Sequence, residues 1–356
     1  MSPREKKPPI GSRLAAKLGG ALDRTALLFM RRTMQQSAPA DIEKACKELI
    51  PAADFYESAN LFSDSDIVVN PTTELAGRRF GANLTDIQFQ TPYHPKMPEY
   101  VEEFASYHAN QTVYAKFYQA AAPKATAIVV HGWGGGPFSV EELIFPVRSL
   151  LRQGFNVLLY QLPFHAKRAP LQARQSGKLF PSPHVVRTNE TFGQIIAELR
   201  VLKNWLSNEA AVPVGFIGMS VGAYIGALWS SLDKDLAFCS AIIPVCNLAD
   251  LMWNHGERSP LRRTAERLGF SFEHLDRALS CHCPLYRDSL LSPDRLHIIA
   301  GRGDEIATQK QTMTLWEHWG KPELTWFPGG HLMQIGRGGA LRSLLKHLDN
   351  IDLGQY

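Results

Sequence analysis

A chain of 356 residues with 45% hydrophobic and 20% charged side chains is long enough for one large folded domain with an appendage, and too apolar to be a disordered chain. Its formal charge of +4 is too small to point to nucleic acid, and it is concentrated at one end: the first 32 residues hold eight Lys/Arg against only Glu5 and Asp23. No run approaches the roughly 20 apolar residues of a membrane-spanning helix, and Leu27-Leu28-Phe29-Met30 is too short for a secretory signal.

Residues 1–10 are rich in Pro and Lys and are expected to be unstructured. From Ser12 to Met34 a helical period sets Leu14, Leu18, Leu22 and Phe29 near one face, with basic residues largely elsewhere and Gly19-Gly20 weakening the helix. Such a helix either packs on its own domain or a partner, the reading we favour, or lies on an anionic membrane surface. A short helix is expected over Ala40–Leu49, followed by Ser/Asp/Asn-rich stretches around Asp64-Ser65-Asp66 and Asn70-Pro71. We read 1–83 as a wrapping arm, partly disordered and partly helical. Leu84–Tyr93 and Gln111–Ala120 alternate as antiparallel edge strands do.

At Ala125 the pattern changes. Thr126–Val130 and Asn156–Tyr160 are short apolar runs of the kind buried on both faces of a sheet, separated by a helical segment over Val140–Gln153. A long helical pattern over Thr188–Trp205 precedes the strand Val214–Ile217, which runs into Gly218-Met219-Ser220-Val221-Gly222 and a helix-prone stretch to Leu232. Strands at Phe238–Val245, His297–Ala300 and Leu324–Phe327 and helices at Thr308–Trp319 and Ala340–Leu348 complete an alternation that specifies a mostly parallel sheet with helices on both faces.

Gly-x-Ser-x-Gly at a strand-to-helix turn has a physical reason. The turn strains its central residue, and flanking side chains larger than glycine collide with neighbouring elements. A serine needs a base within reach, and the base needs a carboxylate to orient it. In a parallel sheet such groups gather at the carboxyl ends of strands. The loop after the strand ending at Ala300 carries Asp304, beside Glu305, and the loop after the last strand carries His331 in Pro328-Gly329-Gly330-His331. Asp250, after the strand ending near Val245, is a further candidate acid.

The elbow, the chain order Ser220, Asp304, His331 and their loop placement resemble the α/β-hydrolase superfamily across roughly residues 84–350. The resemblance implies an α/β-hydrolase fold, with Ser220 as nucleophile, His331 as general base and acid, and Asp304 as the orienting carboxylate. It also implies an oxyanion hole from the backbone N–H groups of Val221 and of Trp133 in His131-Gly132-Trp133, with Gly134 the next candidate. It implies too that His165, in the loop after Tyr160, shapes the pocket rather than acting as a base. The expected activity is carboxylic ester hydrolysis through an acyl-enzyme. Acyl transfer, lipid or thioester hydrolysis on the same triad, and a non-catalytic binding protein on the same fold are the alternatives.

Residues 247–294 separate two core strands by far more than an ordinary connection, so they are expected to form a small helical cap, with short helices at Pro260–Gly269 and Phe272–Ser280. Trp253, Leu261, Leu268, Phe270 and Phe272 either line the pocket or make the cap's own core. Residues 165–187 hold Lys167, Arg168, Arg174, Lys178 and Arg187 and no acid, and read as a solvated loop. Cys46, Cys239, Cys246, Cys281 and Cys283 form no disulfide framework, which suits a reducing compartment and a cytoplasmic protein. Cys281-His282-Cys283 has no second ligand pair, so neither a metal nor another cofactor is expected. The expected partners are a small-molecule or lipid ester, not nucleic acid, with a membrane surface as a contact for the basic N-terminal helix.

Overall fold

In the computed structural model, residues 10–34, 39–63, 69–173, 175–256 and 260–353 are described. The Pro- and Lys-rich start, the Asp64-Ser65-Asp66 stretch, Arg174 and the side chains of Phe29 and Leu261 lie outside them.

Three helices come first, α1 (Ile10–Met34), α2 (Pro39–Lys47) and α3 (Leu49–Ser58). Strands β1 (Thr72–Arg79) and β2 (Ala82–Gln90) form a hairpin, and the short helix α4 (Val101–Ser106) leads to β3 (Thr112–Gln119). The alternating part runs β4 (Ala125–Val130), α5 (Phe138–Ile144), α6 (Val147–Arg152), β5 (Phe155–Tyr160), α7 (Val185–Ala210), β6 (Val214–Met219), α8 (Val221–Ser230) and β7 (Cys239–Ile242). The cap follows as α9 (Leu248–His255), α10 (Pro260–Arg267) and α11 (Phe272–Leu279). The chain closes with β8 (Leu296–Gly301), α12 (Gln309–His318), β9 (Glu323–Phe327) and α13 (Arg337–Asn350).

All nine strands form one sheet in the order β1-β2-β3-β5-β4-β6-β7-β8-β9. The first three strands pair antiparallel and β3 joins β5 antiparallel, while every pairing from β5 to β9 is parallel. The central strands β4, β5, β6, β7 and β8 are buried at every residue. That is why they read as continuous apolar runs rather than alternating ones.

The sheet starts earlier than expected, because β1 lies within the stretch read as an arm. It is exposed along nearly its whole length and carries a bulge between Leu75 and Gly77, so no apolar alternation marks it. The turn into β2 is Phe80-Gly81, both at positive φ, as mirror-image hairpin turns require. The helix expected over Val140–Gln153 is two helices, broken where Phe145-Pro146 leaves helical geometry.

The 165–187 segment is only in part a solvated loop: Lys167 and Lys178 are exposed, but Arg168 and Arg187 are not free charges. Arg168 is fully buried, with Nη1 and Nη2 donating to Glu198 at 2.7 and 2.8 Å and further bonds to the Gln161 and Asn110 carbonyls. Arg187 pairs with Glu103 at 3.0 Å. A second buried acid on α7, Glu190, collects Tyr56 Oη, Tyr93 Oη and the backbone N–H groups of Lys96 and Met97 at 2.5–2.9 Å. The four bonds to Glu190 fasten α3 and the segment after β2 to the long helix. In turn α3 packs against the cap helix α11, where Arg277 pairs with Asp54 and Glu57.

Within the cap, Trp253, Phe270 and Phe272 are partly buried against the main core, and Leu268 is exposed. His282 stacks on Phe192 with ring centres 4.0 Å apart, and its Nδ1 meets the Tyr224 hydroxyl at 2.8 Å. The Cys281-His282-Cys283 motif thus serves the packing of α8 against the cap. Among the described residues no helix is long and apolar enough to cross a membrane.

Candidate active site

Ser220 sits between β6 and α8 with φ +56° and ψ −114°, backbone angles that residues with a side chain rarely adopt. The two glycines of the motif have separate reasons. A Cβ on Gly218 would lie 2.1 Å from the Gly222 carbonyl oxygen, and one on Gly222 would lie 2.3 Å from that of Val130. The elbow is therefore pressed onto its own helix and onto the end of β4. The serine hydroxyl stands at the amino end of α8, where the helix dipole favours negative charge.

The loops after β8 and β9 run side by side beyond the sheet. Arg302 N–H donates to the Phe327 carbonyl at 2.8 Å and Gly303 N–H to that of Gly329 at 3.0 Å. This zipper sets Asp304 against His331. His331 Nδ1 lies 2.8 Å from Asp304 Oδ2, and His331 Nε2 lies 2.9 Å from Ser220 Oγ. Asp304 divides its work: Oδ1 accepts the N–H groups of Ile306 and Ala307 at 2.9 and 2.8 Å, which fixes the turn before α12, and Oδ2 faces the imidazole. With Nδ1 protonated toward Asp304, Nε2 presents its lone pair to Ser220 Oγ. Burial pulls the His331 imidazole down, but the charge and hydrogen bond of Asp304, helped by the charge of Asp23, outweigh it and leave it above its ordinary value.

The other candidate acids lie elsewhere. Glu305 pairs with Arg24 at 2.7 Å, and Asp250 accepts from Gln311 Nε2 at 3.1 Å. His165 is buried, with Nδ1 on the Pro163 carbonyl at 2.8 Å, and burial together with neighbouring His131 drops it to about 3.

The loop after β4 is held by polar anchors, most of them buried. His131 Nδ1 donates to the Gly132 carbonyl at 2.7 Å and its Nε2 accepts Leu162 N–H at 3.1 Å, while burial lowers it to about 4 and keeps it neutral. Glu141 accepts Gly136 N–H at 2.7 Å, and Trp133 Nε1 donates to the Gly177 carbonyl at 2.7 Å. A Cβ on Gly132 would touch the Ser220 Cβ at 3.2 Å, so this loop lies against the serine. Val221, the residue after the serine, opens α8, where the first-turn N–H groups have no intrahelical acceptor.

The sequence reading missed Asp23. Helix α1 is unbroken from Ile10 to Met34 and lies on the loops after β8 and β9. Asp23, fully buried, accepts His331 N–H at 2.7 Å, Leu332 N–H at 2.9 Å and Glu305 N–H at 3.2 Å. The signal was a lone acid in a basic helix, on the face with Ala16, Gly19 and Gly20 and away from the exposed Leu14, Leu18 and Leu22.

Comparison with known proteins agrees with this architecture. The family model described as alpha/beta hydrolase domain containing 18 matches residues 52–251, more than half of the chain. The chain belongs to that family. The match includes Ser220 and the 131–136 loop and ends before Asp304 and His331. Uncharacterized proteins MT2702 and Rv2627c of Mycobacterium tuberculosis are each 30% identical over 325 residues, covering 87% of this chain and 76% of the relative. Among solved structures, the acetyl xylan esterase of Paenibacillus sp. R4 superposes with a TM-score of 0.57 at 10% identity, covering 83% of this α/β-hydrolase and 93% of that chain. Acetyl xylan esterase 1 of Thermoanaerobacterium sp. JW/SL YS485 gives 0.52 at 14% identity, covering 89% and 98%. At such identities these two structures speak to the fold alone.

Proposed function

We propose that this α/β-hydrolase cleaves carboxylic esters through an acyl-enzyme on Ser220. The observation that carries the reading is the unbroken hydrogen-bond chain from Asp304 through His331 to a serine in strained backbone geometry. Ser220 Oγ attacks the ester carbonyl carbon while its proton passes to His331 Nε2. The carbonyl π electrons move onto oxygen, which the N–H groups of Val221 and Trp133 receive. Collapse expels the alcohol, protonated by His331, and leaves the acyl group on Ser220. Water then gives a proton to His331 and attacks the acyl carbon, releasing the acid and restoring the serine. Each oxyanion donor contributes about 3 kcal/mol to the transition state in enzymes of this chemistry. The test is labelling by a fluorophosphonate probe of the wild type and of Ser220→Ala. Absence of a Ser220-dependent label under native conditions sinks the reading.

A lipid ester is the second reading, favoured by the outer face of α1. Leu14, Leu18 and Leu22 are 59%, 51% and 41% exposed in a row one turn apart, with exposed Arg13, Lys17 and Arg24 beside them. An apolar stripe flanked by basic residues suits the surface of an anionic bilayer. Flotation with phosphatidylserine-containing liposomes tests this with Leu14, Leu18 and Leu22 changed together to Gln. Equal flotation of variant and wild type removes the idea. Deleting residues 1–35 is the poorer test, because it also takes Asp23 from the triad. The five cysteines are unpaired, in keeping with the proposed cytoplasmic location.

A further inference from the structure

We propose that Asp23 is a positioning residue of the active site, and that α1 is a working part of that site rather than an accessory arm. The inference rests on the reading of Ser220, His331 and Asp304 as a triad.

The geometry begins with how closely the helix approaches. A Cβ on Gly19 would lie 2.2 Å from the Gly330 nitrogen, and one on Gly20 would lie 3.0 Å from the Gly303 carbonyl oxygen. The opposing surface is equally bare: a Cβ on Gly303 would lie 2.3 Å from the Ala16 carbonyl oxygen, and one on Gly330 would lie 2.6 Å from Asp23 Oδ2. Helix and loops thus meet backbone to backbone. Gly19 is one turn before Asp23 on the same face, so this approach is what brings a short carboxylate to the loop amides.

The carboxylate then spans both loops. Oδ2 accepts from His331 and from Glu305, the residue after Asp304, and Oδ1 accepts from Leu332. A buried carboxylate is costly unless hydrogen-bonded, and three amides meet that need. In doing so they fix the spacing between the loop that holds the acid and the loop that holds the base. The Asp304–His331 contact of 2.8 Å depends on that spacing. Asp23 also places a second negative charge near the imidazole, besides that of Asp304. The imidazolium formed when Ser220 attacks is therefore stabilised by two carboxylates, only one of which touches it. The Arg24–Glu305 ion pair lies at the exposed margin of the same contact.

Asp23→Asn keeps the side-chain shape, removes the charge and turns an amide nitrogen toward loop donors. Two readouts decide the proposal: kcat/KM for p-nitrophenyl acetate against pH, and the NMR titration of His331 in histidine-labelled protein. The expected result is a fall in kcat/KM of about 100-fold, as for a reacting group displaced by a fraction of an ångström to an ångström, with the His331 midpoint moved to lower pH. A midpoint that stays in place, with or without a slower rate, reduces Asp23 to a helix anchor and overturns the proposal. If the wild type hydrolyses no ester, the ester reading fails while the titration still decides the role of Asp23. Should Asp23→Asn fail to fold, Gly19→Ala carries the test, because its methyl group must push α1 off Gly330. The same two changes are expected there, and wild-type turnover and titration would overturn the idea.

Discussion

Replacing Ser220 by glycine should abolish activity and yet give a more stable protein than Ser220→Ala. Both variants lose the hydroxyl and its bond to His331, so their difference isolates the backbone. At φ +56° and ψ −114°, alanine keeps a Cβ where side chains are disfavoured, whereas glycine occupies the region freely. Relief of such strain contributes roughly 1–3 kcal/mol. The greater freedom of glycine in the unfolded chain takes back about 0.5–1 kcal/mol. The net gain is about 1 kcal/mol, or roughly 1 °C in Tm for a chain of this length. Differential scanning calorimetry on the two variants side by side reads it. A glycine variant that melts at or below the alanine variant would show that the elbow stores no strain.

Four further outcomes follow from the geometry. In the proposed mechanism only the neutral imidazole takes the serine proton, and His331 is held above its ordinary value, so kcat/KM should fall on the acid side with a midpoint above the free-histidine value of about 6.5. Asp304→Asn should move that midpoint down and slow turnover by about ten-thousand-fold, read from pH–rate profiles. Arg168→Ala strands Glu198 inside the protein and should cost about 3–5 kcal/mol in urea denaturation; an unchanged transition would mean that the pair contributes nothing. Gly222→Val drives a side chain into the Val130 carbonyl and should abolish fluorophosphonate labelling although Ser220 is intact.

What the sequence disclosed follows from where each signal lives. The buried strands from β4 to β8 and the elbow were legible because burial on both faces and a strained turn each demand particular residues locally. Asp304 and His331 were legible because strand order decides which loops meet. The edge strand β1 was not, since an exposed strand needs no apolar pattern, and Phe80-Gly81 was its one local mark. Arg168 read as a solvated charge because its partner Glu198 lies on another element, 30 residues away. Gly19-Gly20 read as a weakness for the same reason: glycine does lower helix propensity, but the surface that requires it here is built from residues 303 and 330.

The bond between Asp23 and His331 closes a loop of 308 residues. On a ribosome, α1 emerges well before the loops it docks on, so the helix must wait while the sheet forms without it. The entropy of so long a closure grows only with the logarithm of its length, so the delay is set by when the partner loops form more than by distance. Recovery of turnover after dilution from urea should therefore lag behind recovery of far-UV circular dichroism. Simultaneous recovery would mean that α1 docks along with the sheet. Helix α1 and the loops after β8 and β9 are energetically one element, and loosening either should be felt at the same serine.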